Sequence, residues 1–266
     1  MNTKAFILTA IAAGAVCGCA PKTQVRSIVV YYSATGTTET VAELFRDKTG
    51  SDMVEILALK PYDTAYDALI EQYQKEMQAG VTREIQPLDV NFDDYDVIYL
   101  GSPVWFGQCC GPVESFLKSY DLKGKTIVPF FTFGSGGNTA VDMVEKYQPE
   151  AEISAWYGIR AARIEKAAAE IDTFLVGLGV MEGEVVQLPE YSPERELSEA
   201  EKAIFEQACG SYPMPLGNPV AVCSRETADA DEYIFRTLSS DGERTARIYV
   251  TRPKDGGAAE FTQVVR

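Results

Sequence analysis

From Ser27 onward, short β-branched runs alternate with segments of helical periodicity, and this alternation constrains the fold more than any other feature. Ser27-Ile-Val-Val-Tyr-Tyr32 is a β-branched and aromatic run suited to a buried strand. Residues 38–48 follow, with Val41, Leu44 and Phe45 on one helical face. Residues 52–57 predict a second strand, and 62–78 a helix with Ala65, Leu69, Tyr73 and Met77 at spacing four. Segments 97–101, 126–132 and 152–155 predict three more strands; 113–120, 138–147 and 164–178 predict the intervening and closing helices. Strands separated by helices of this length imply an α/β fold, a parallel sheet covered on both faces.

The character changes after Gly183. Residues 185–197 read as a proline- and acid-containing linker. Ser198-Glu-Ala-Glu201 has the form of a capping box opening a helix to about Cys209. Four strand-like runs follow, beginning near Val220, Tyr233, Ala246 and Phe261, with Asp241-Gly242 as a hairpin signal between the second and third. Residues 198–266 therefore predict a small α+β domain with an antiparallel sheet, loosely similar to cystatin-like add-on domains.

Charge supports that division. The chain carries a formal net charge of −15 and no histidine. Residues 210–266 hold 7 basic and 8 acidic side chains, so nearly all the acidity belongs to the first part. An acidic surface argues against a nucleic-acid partner, which needs a basic face toward phosphates. Without histidine there is no His-based nucleophile, acid/base or metal chemistry, and no metal is expected.

Residues 1–18 begin with Lys4, continue in an apolar run too short to span a bilayer, and end at Cys17-Gly18-Cys19. Small residues before a cysteine resemble a bacterial lipobox. The resemblance implies a lipoprotein signal peptide over 1–18, a lipid on Cys19, and a tether over 19–25. The expected location is the cell envelope, periplasm-facing or in the outer membrane, with the lipid as the membrane attachment. In an exported chain Cys209 and Cys223 are near enough in sequence to bridge, or stand as two buried thiols. Cys109 and Cys110 read as incidental thiols, because adjacent cysteines bridge only through a strained ring, with a vicinal redox pair as the other reading.

The first candidate site is Ser33-Ala34-Thr35-Gly36-Thr37-Thr38, between the first strand and the first helix. A helix N-terminus presents unpaired N–H groups and the positive end of the dipole. Hydroxyls and a glycine in the preceding turn let backbone and side chains surround a phosphate. The loop has no Lys or Arg, and neither Walker A nor Gly-x-Gly-x-x-Gly spacing. Such an uncharged cradle suits a monophosphate ester. The second site, Gly101-Ser102-Pro103-Val104-Trp105-Phe106-Gly107, follows the third strand and offers Trp105 for stacking on a flat ring. The third, Thr132-Phe133-Gly134-Ser135-Gly136-Gly137-Asn138, follows the fourth strand and offers backbone for close approach.

Val29-Val-Tyr-Tyr-Ser-Ala-Thr-Gly-Thr-Thr38, with Ala42 following, resembles the FMN phosphate motif of flavodoxins. Ser115-Phe-Leu, Gly124-Lys-Thr-Ile-Val-Pro-Phe130 and Trp156-Tyr-Gly-Ile-Arg160 extend the resemblance over about residues 26–180, within a domain expected at 26–184. Phe45 stands where the motif has a smaller aliphatic residue, and Phe133 where a related subgroup has glycine. The resemblance implies a five-stranded parallel sheet of order 2-1-3-4-5 and FMN as cofactor. The second and third loops would then flank the flavin ring. It implies a redox protein working by electron transfer or flavin-dependent reduction, with a partner protein or a small-molecule acceptor. Acidic charge near the flavin would lower its reduction potential. The other reading is a non-redox binding module of the envelope on the same fold.

Overall fold

The computed structural model describes residues 25–63, 65–136 and 139–266. The expected signal peptide, Cys19, residues 20–24 of the tether, Gly137 and Asn138 lie outside the described residues. The described residues divide into two compact units, those within 25–134 and 139–185, and residues 135–136 with 186–266.

In the first unit, β1 (Ser27–Tyr31) is almost wholly buried and splits its side chains between two cores. Ile28 and Val30 join one apolar cluster, Val29 and Tyr31 the other, as the two-residue period of a strand requires. β1 pairs in parallel with β2 (Asp52–Glu55) on one side and with β3 (Val97–Trp105) on the other. β3 pairs in parallel with β5 (Thr126–Phe133). β5 carries two short pieces at its far edge, β6 (Glu152–Ile153) and β7 (Tyr157–Arg160), both parallel. The order β2-β1-β3-β5-β6 is therefore the expected doubly wound order, with its last strand made in two pieces.

Helices cover both faces. On one, α1 (Thr37–Thr49) buries Thr38, Val41, Ala42 and Phe45 beside α5 (Ala167–Gly177), which buries Ala167, Ile171 and Leu175. Phe45 stacks on Phe130 with centroids 4.7 Å apart and lies 5.3 Å from Tyr99. The large side chain is accommodated because Gly101 lies beside the Phe130 ring: a Cβ there would run into that ring and into Tyr31. On the other face lie α2 (Tyr66–Ala79), α3 (Gly111–Ser119) and α4 (Ala140–Tyr147), around Leu69, Val113, Phe116, Leu117 and Val144.

Several elements depart from the expectation, among them the second helix, which begins at Tyr66 rather than at 62. The third strand continues past Gly101 to Trp105, then turns at Phe106 and Gly107 into β4 (Gln108–Cys109), which runs back along it. Pro103 does not end it, since a proline forfeits only its own N–H. The long closing helix begins at Ala167 rather than at Ile164. Residues Ala161–Lys166 form a 3-10 turn in which Arg163, at φ −123°, breaks the helical path. The second strand stops at Glu55, two residues short of the expected end.

In the second unit, α6 (Glu199–Cys209) opens with the expected capping box. Ser198 N–H donates to Glu201 Oε2 at 2.8 Å, and Glu201 N–H donates to Ser198 Oγ at 3.3 Å. Arg195 grips the same carboxylate at 2.6 and 2.9 Å and holds its pKa down to about 2. β8 (Asn218–Glu226), β9 (Ala230–Leu238), β10 (Thr245–Pro253) and β11 (Glu260–Val265) form an antiparallel meander in chain order. Ile204, Phe205 and Cys209 of α6 pack with Val222, Phe235, Ile248 and Val264. Cys209 and Cys223 form no disulfide. The strand period explains it: Val222 faces the core that holds Cys209, so Cys223 points to the opposite face.

Candidate functional site

The loop 33–38 sits where β1 ends between β2 and β3, the crevice position of a doubly wound sheet. Gly36 is the residue before α1 and has φ +85°, a left-handed conformation that glycine adopts without a Cβ penalty. No side chain caps the helix there, and nothing lies within 4 Å of where a Gly36 Cβ would stand. The first intrahelical bond, Thr40 N–H to the Gly36 carbonyl at 3.0 Å, leaves the preceding N–H groups directed out of the helix. Thr35 is exposed; Ser33, Ala34 and Thr37 are half-buried. Ser33 Oγ accepts the Gly36 N–H at 3.1 Å, which shapes the turn.

Thr38 has a different role from its neighbours. It is 2% exposed, and its hydroxyl lies 2.8 Å from the Thr132 hydroxyl, itself 4% exposed. The pair fastens the start of α1 to the end of β5, across 94 residues of sequence. No local signal in the sequence announces it. Acids stand near the loop, with Arg46 also acting on Tyr31. Burial, and then Glu39, raises the pKa of the Glu55 carboxyl. Burial, and then Glu55 and Glu39, pushes the Tyr31 phenol up to about 12.

The second group of residues divides. Ser102 is fully buried and turned inward: its hydroxyl accepts the Cys110 N–H at 3.2 Å and donates to the Pro103 carbonyl at 2.9 Å. Pro103 and Val104 belong to β3. Trp105 is half-buried and walled by tyrosines, with ring centroids 5.1 Å from Tyr62, 5.1 Å from Tyr73 and 6.1 Å from Tyr32. Phe106 is the outward aromatic, 50% exposed at φ +52°, and Gly107 follows at φ +80°. Two successive positive φ values make the tight β3–β4 turn, and Thr139 Oγ1 anchors it by donating to the Gly107 carbonyl. Cys109 and Cys110 lie beneath as fully buried thiols; burial pushes Cys110 up to about 12 and Cys109 higher still, so neither is a ready thiolate.

The third group also divides. Thr132 and Phe133 finish β5 and are buried. Gly134 is exposed, and Arg160 Nε donates to its carbonyl at 2.9 Å. Ser135 and Gly136 group with the second unit, where Val264 N–H donates to the Ser135 carbonyl at 2.9 Å. The first unit thus brings together the loop 33–38, the β3–β4 turn and Gly134 at the carboxyl ends of adjacent strands.

Donors at a helix N-terminus, a left-handed glycine and small hydroxyls define a phosphate-accepting α/β protein. Residues 26–159, half of the chain, match the flavodoxin family model, and the chain belongs to the flavodoxin family. FMN is that family's cofactor, and the donor set of the loop fits its phosphate. Among solved structures, the chain is similar to a flavoprotein from Bacteroides eggerthii at 26% identity and a TM-score of 0.53, over 59% of this chain and 100% of that one. It is also similar to one from Bacteroides uniformis at 26% identity and a TM-score of 0.50, over 56% and 98%. A flavoprotein from Lactobacillus acidophilus, solved in complex with FMN, matches at 22% identity and a TM-score of 0.45, over 56% and 97%.

Proposed function

We propose that this protein binds FMN and works as a redox protein of the cell envelope, in electron transfer or flavin-dependent reduction. The observation that carries the reading is the loop 33–38, open at the N-terminus of α1 with no side-chain cap. Ser33, Thr35, Thr37 and the first-turn N–H groups would hold the phosphate by hydrogen bonds without a cationic side chain. When bound, FMN supplies the redox chemistry. The protein's own contribution is placement and field. The Thr38–Thr132 pair fixes the phosphate loop against β5, and the β3–β4 turn presents Phe106 beside the same sheet edge. Glu39 and Glu55 hold a negative field there that disfavours added negative charge. The acidic chain suits a basic redox partner protein, with a small-molecule acceptor as the other outlet. A lipid on Cys19 would tether the chain to the membrane.

Titrating purified protein with FMN, followed by visible absorbance and quenching of free-flavin fluorescence, tests the cofactor. Saturable binding with one flavin per chain supports it; a protein that leaves added FMN free overturns it. Fatty-acid labelling of the expressed chain, lost in Cys19→Ser, tests the anchor separately.

A further inference from the structure

Trp105 is oxidisable, and of the three tyrosines around it one differs from the others. Tyr62 is 7% exposed, and its hydroxyl donates to Glu76 Oε2 at 2.5 Å. The Tyr73 hydroxyl donates instead to a backbone carbonyl, that of Cys109, at 3.4 Å. Among the described residues Tyr32 has no carboxylate at its hydroxyl. Glu76 is paired with Arg83 at 2.5 Å, whose guanidinium lies 3.8 Å from the centre of the Tyr62 ring. Glu76 and Arg83 line a hollow of about 180 Å³ together with Leu59, Lys60, Thr82 and Glu84, and Lys60 and Glu84 are exposed. A chain of contacts therefore runs from Trp105 through Tyr62 to a largely buried carboxylate that lines this hollow.

We infer that Trp105, Tyr62 and Glu76 form a relay in which an oxidising equivalent on Trp105, beside the β3–β4 turn, passes to Tyr62 while the phenolic proton passes to Glu76, so that one-electron oxidants leave the indole intact. An oxygen-derived radical removes one electron from the Trp105 indole, leaving its radical cation. Tyr62 returns one electron to Trp105, and the phenolic proton passes to Glu76. The products are intact Trp105, a neutral Tyr62 phenoxyl radical and protonated Glu76; charge, protons and electrons balance.

The geometry meets what this step needs. A tyrosine gives up an electron readily only when its proton leaves with it, and a base serves only within hydrogen-bond reach. An oxidised phenol is a far stronger acid than a carboxylic acid, so Glu76 accepts the proton even while paired. Arg83, 2.5 Å from the other carboxylate oxygen, holds Glu76 in place at the Tyr62 hydroxyl. Phe106, next to Tyr73 at 6.0 Å, offers no comparable exit, because a phenyl ring has no proton to release. The path lies wholly in the first unit and does not require a bound cofactor.

Pulse radiolysis of the full chain with azide radicals, which oxidise tryptophan, tests it. The tryptophanyl absorbance should decay into tyrosyl absorbance at a rate independent of protein concentration and slower in heavy water. Trp105→Phe should abolish that phase, leaving only what Trp156 contributes. Tyr62→Phe, which keeps the ring and its packing, should slow it by roughly tenfold or more, equivalent to about 1.4 kcal/mol of barrier. Glu76→Gln should slow it and erase the solvent isotope effect. Transfer at the native rate in Tyr62→Phe overturns the inference, as does a tryptophanyl radical that persists in the native chain. Circular dichroism of each variant shows whether the fold is retained, and the isotope effect on the native chain stands without any variant.

Discussion

The loop 33–38 and the β3–β4 turn flank the same end of the sheet and are built by opposite means. The first is made of backbone and small hydroxyls. Its one special requirement is the φ of +85° at Gly36, and its contacts leave open space before the helix. The second is made of bulk. Trp105 is enclosed by Tyr32, Tyr62 and Tyr73, and the chain reverses through positive φ at Phe106 and Gly107. One is shaped to receive a ligand. The other is a wall whose inner side belongs to the core, with Phe106 as its outer surface. A conspicuous aromatic in a candidate loop is thus not evidence of a stacking partner until its neighbours are known.

The sharpest way to break this contrast is Trp105→Ala. If the indole is part of the wall, its removal leaves a cavity among three tyrosines and costs about 3–5 kcal/mol of stability. Urea unfolding without FMN should show the whole loss. A cost below about 1 kcal/mol, the range of surface substitutions, combined with weakened FMN binding, would mean that the indole serves the ligand instead.

The Thr38–Thr132 pair is the next test, because it joins the receiving loop to the core. Thr38→Val leaves the buried Thr132 hydroxyl without its partner and should cost about 1–3 kcal/mol. Changing both residues to Val should recover most of the loss, since an apolar pair of matching shape leaves nothing unsatisfied. Thermal unfolding of the three variants gives the coupling directly. Purely additive losses would show that the two hydroxyls act independently.

What the sequence made legible follows the same divide. The loop 33–38 is local: strand, turn and helix start are consecutive, so residue types and order suffice. The alternation of strands and helices was legible for a similar reason, because each carries its own period, whereas the sheet order was legible only through the resemblance to flavodoxins. The hydroxyl pair was not, since its members lie 94 residues apart and each alone reads as an ordinary threonine. The surroundings of Trp105 were half legible. Spacing put Tyr73 on the same helical face as Leu69, but nothing local says which side chain meets them across the sheet. Pro103 misled in another way. It reads as a loop residue, whereas it continues β3 opposite Thr132 and carries the strand on to Trp105.

Gly36 tests the receiving loop itself. Gly36→Val puts a β-branched side chain at φ +85°, which costs roughly 1–2 kcal/mol in the left-handed region. Open space around the position means that the cost is conformational rather than steric. If the loop relaxes to relieve it, the phosphate donors move, and the Kd for FMN should rise by roughly tenfold or more, where tenfold equals about 1.4 kcal/mol. Isothermal titration separates this from the stability loss. An unchanged Kd would place the phosphate elsewhere.

Phe106 gives the smallest effect and the most telling sign. It is a non-glycine residue at φ +52° with half its surface exposed, so its conformation is unfavourable and its burial brings little in return. Phe106→Gly removes the Cβ that resists this backbone. It also loosens the unfolded chain, which works against the gain. Relief of the strain should prevail, and the apo protein should gain up to about 1 kcal/mol in urea unfolding. FMN affinity should fall in the same variant if the exposed ring covers the cofactor. Opposite signs for stability and affinity are what a strained residue kept for binding produces. A variant less stable than the native chain, with FMN affinity untouched, would instead assign the phenyl ring to the packing around Tyr73, and the contrast between wall and receiving loop would lose its outer face.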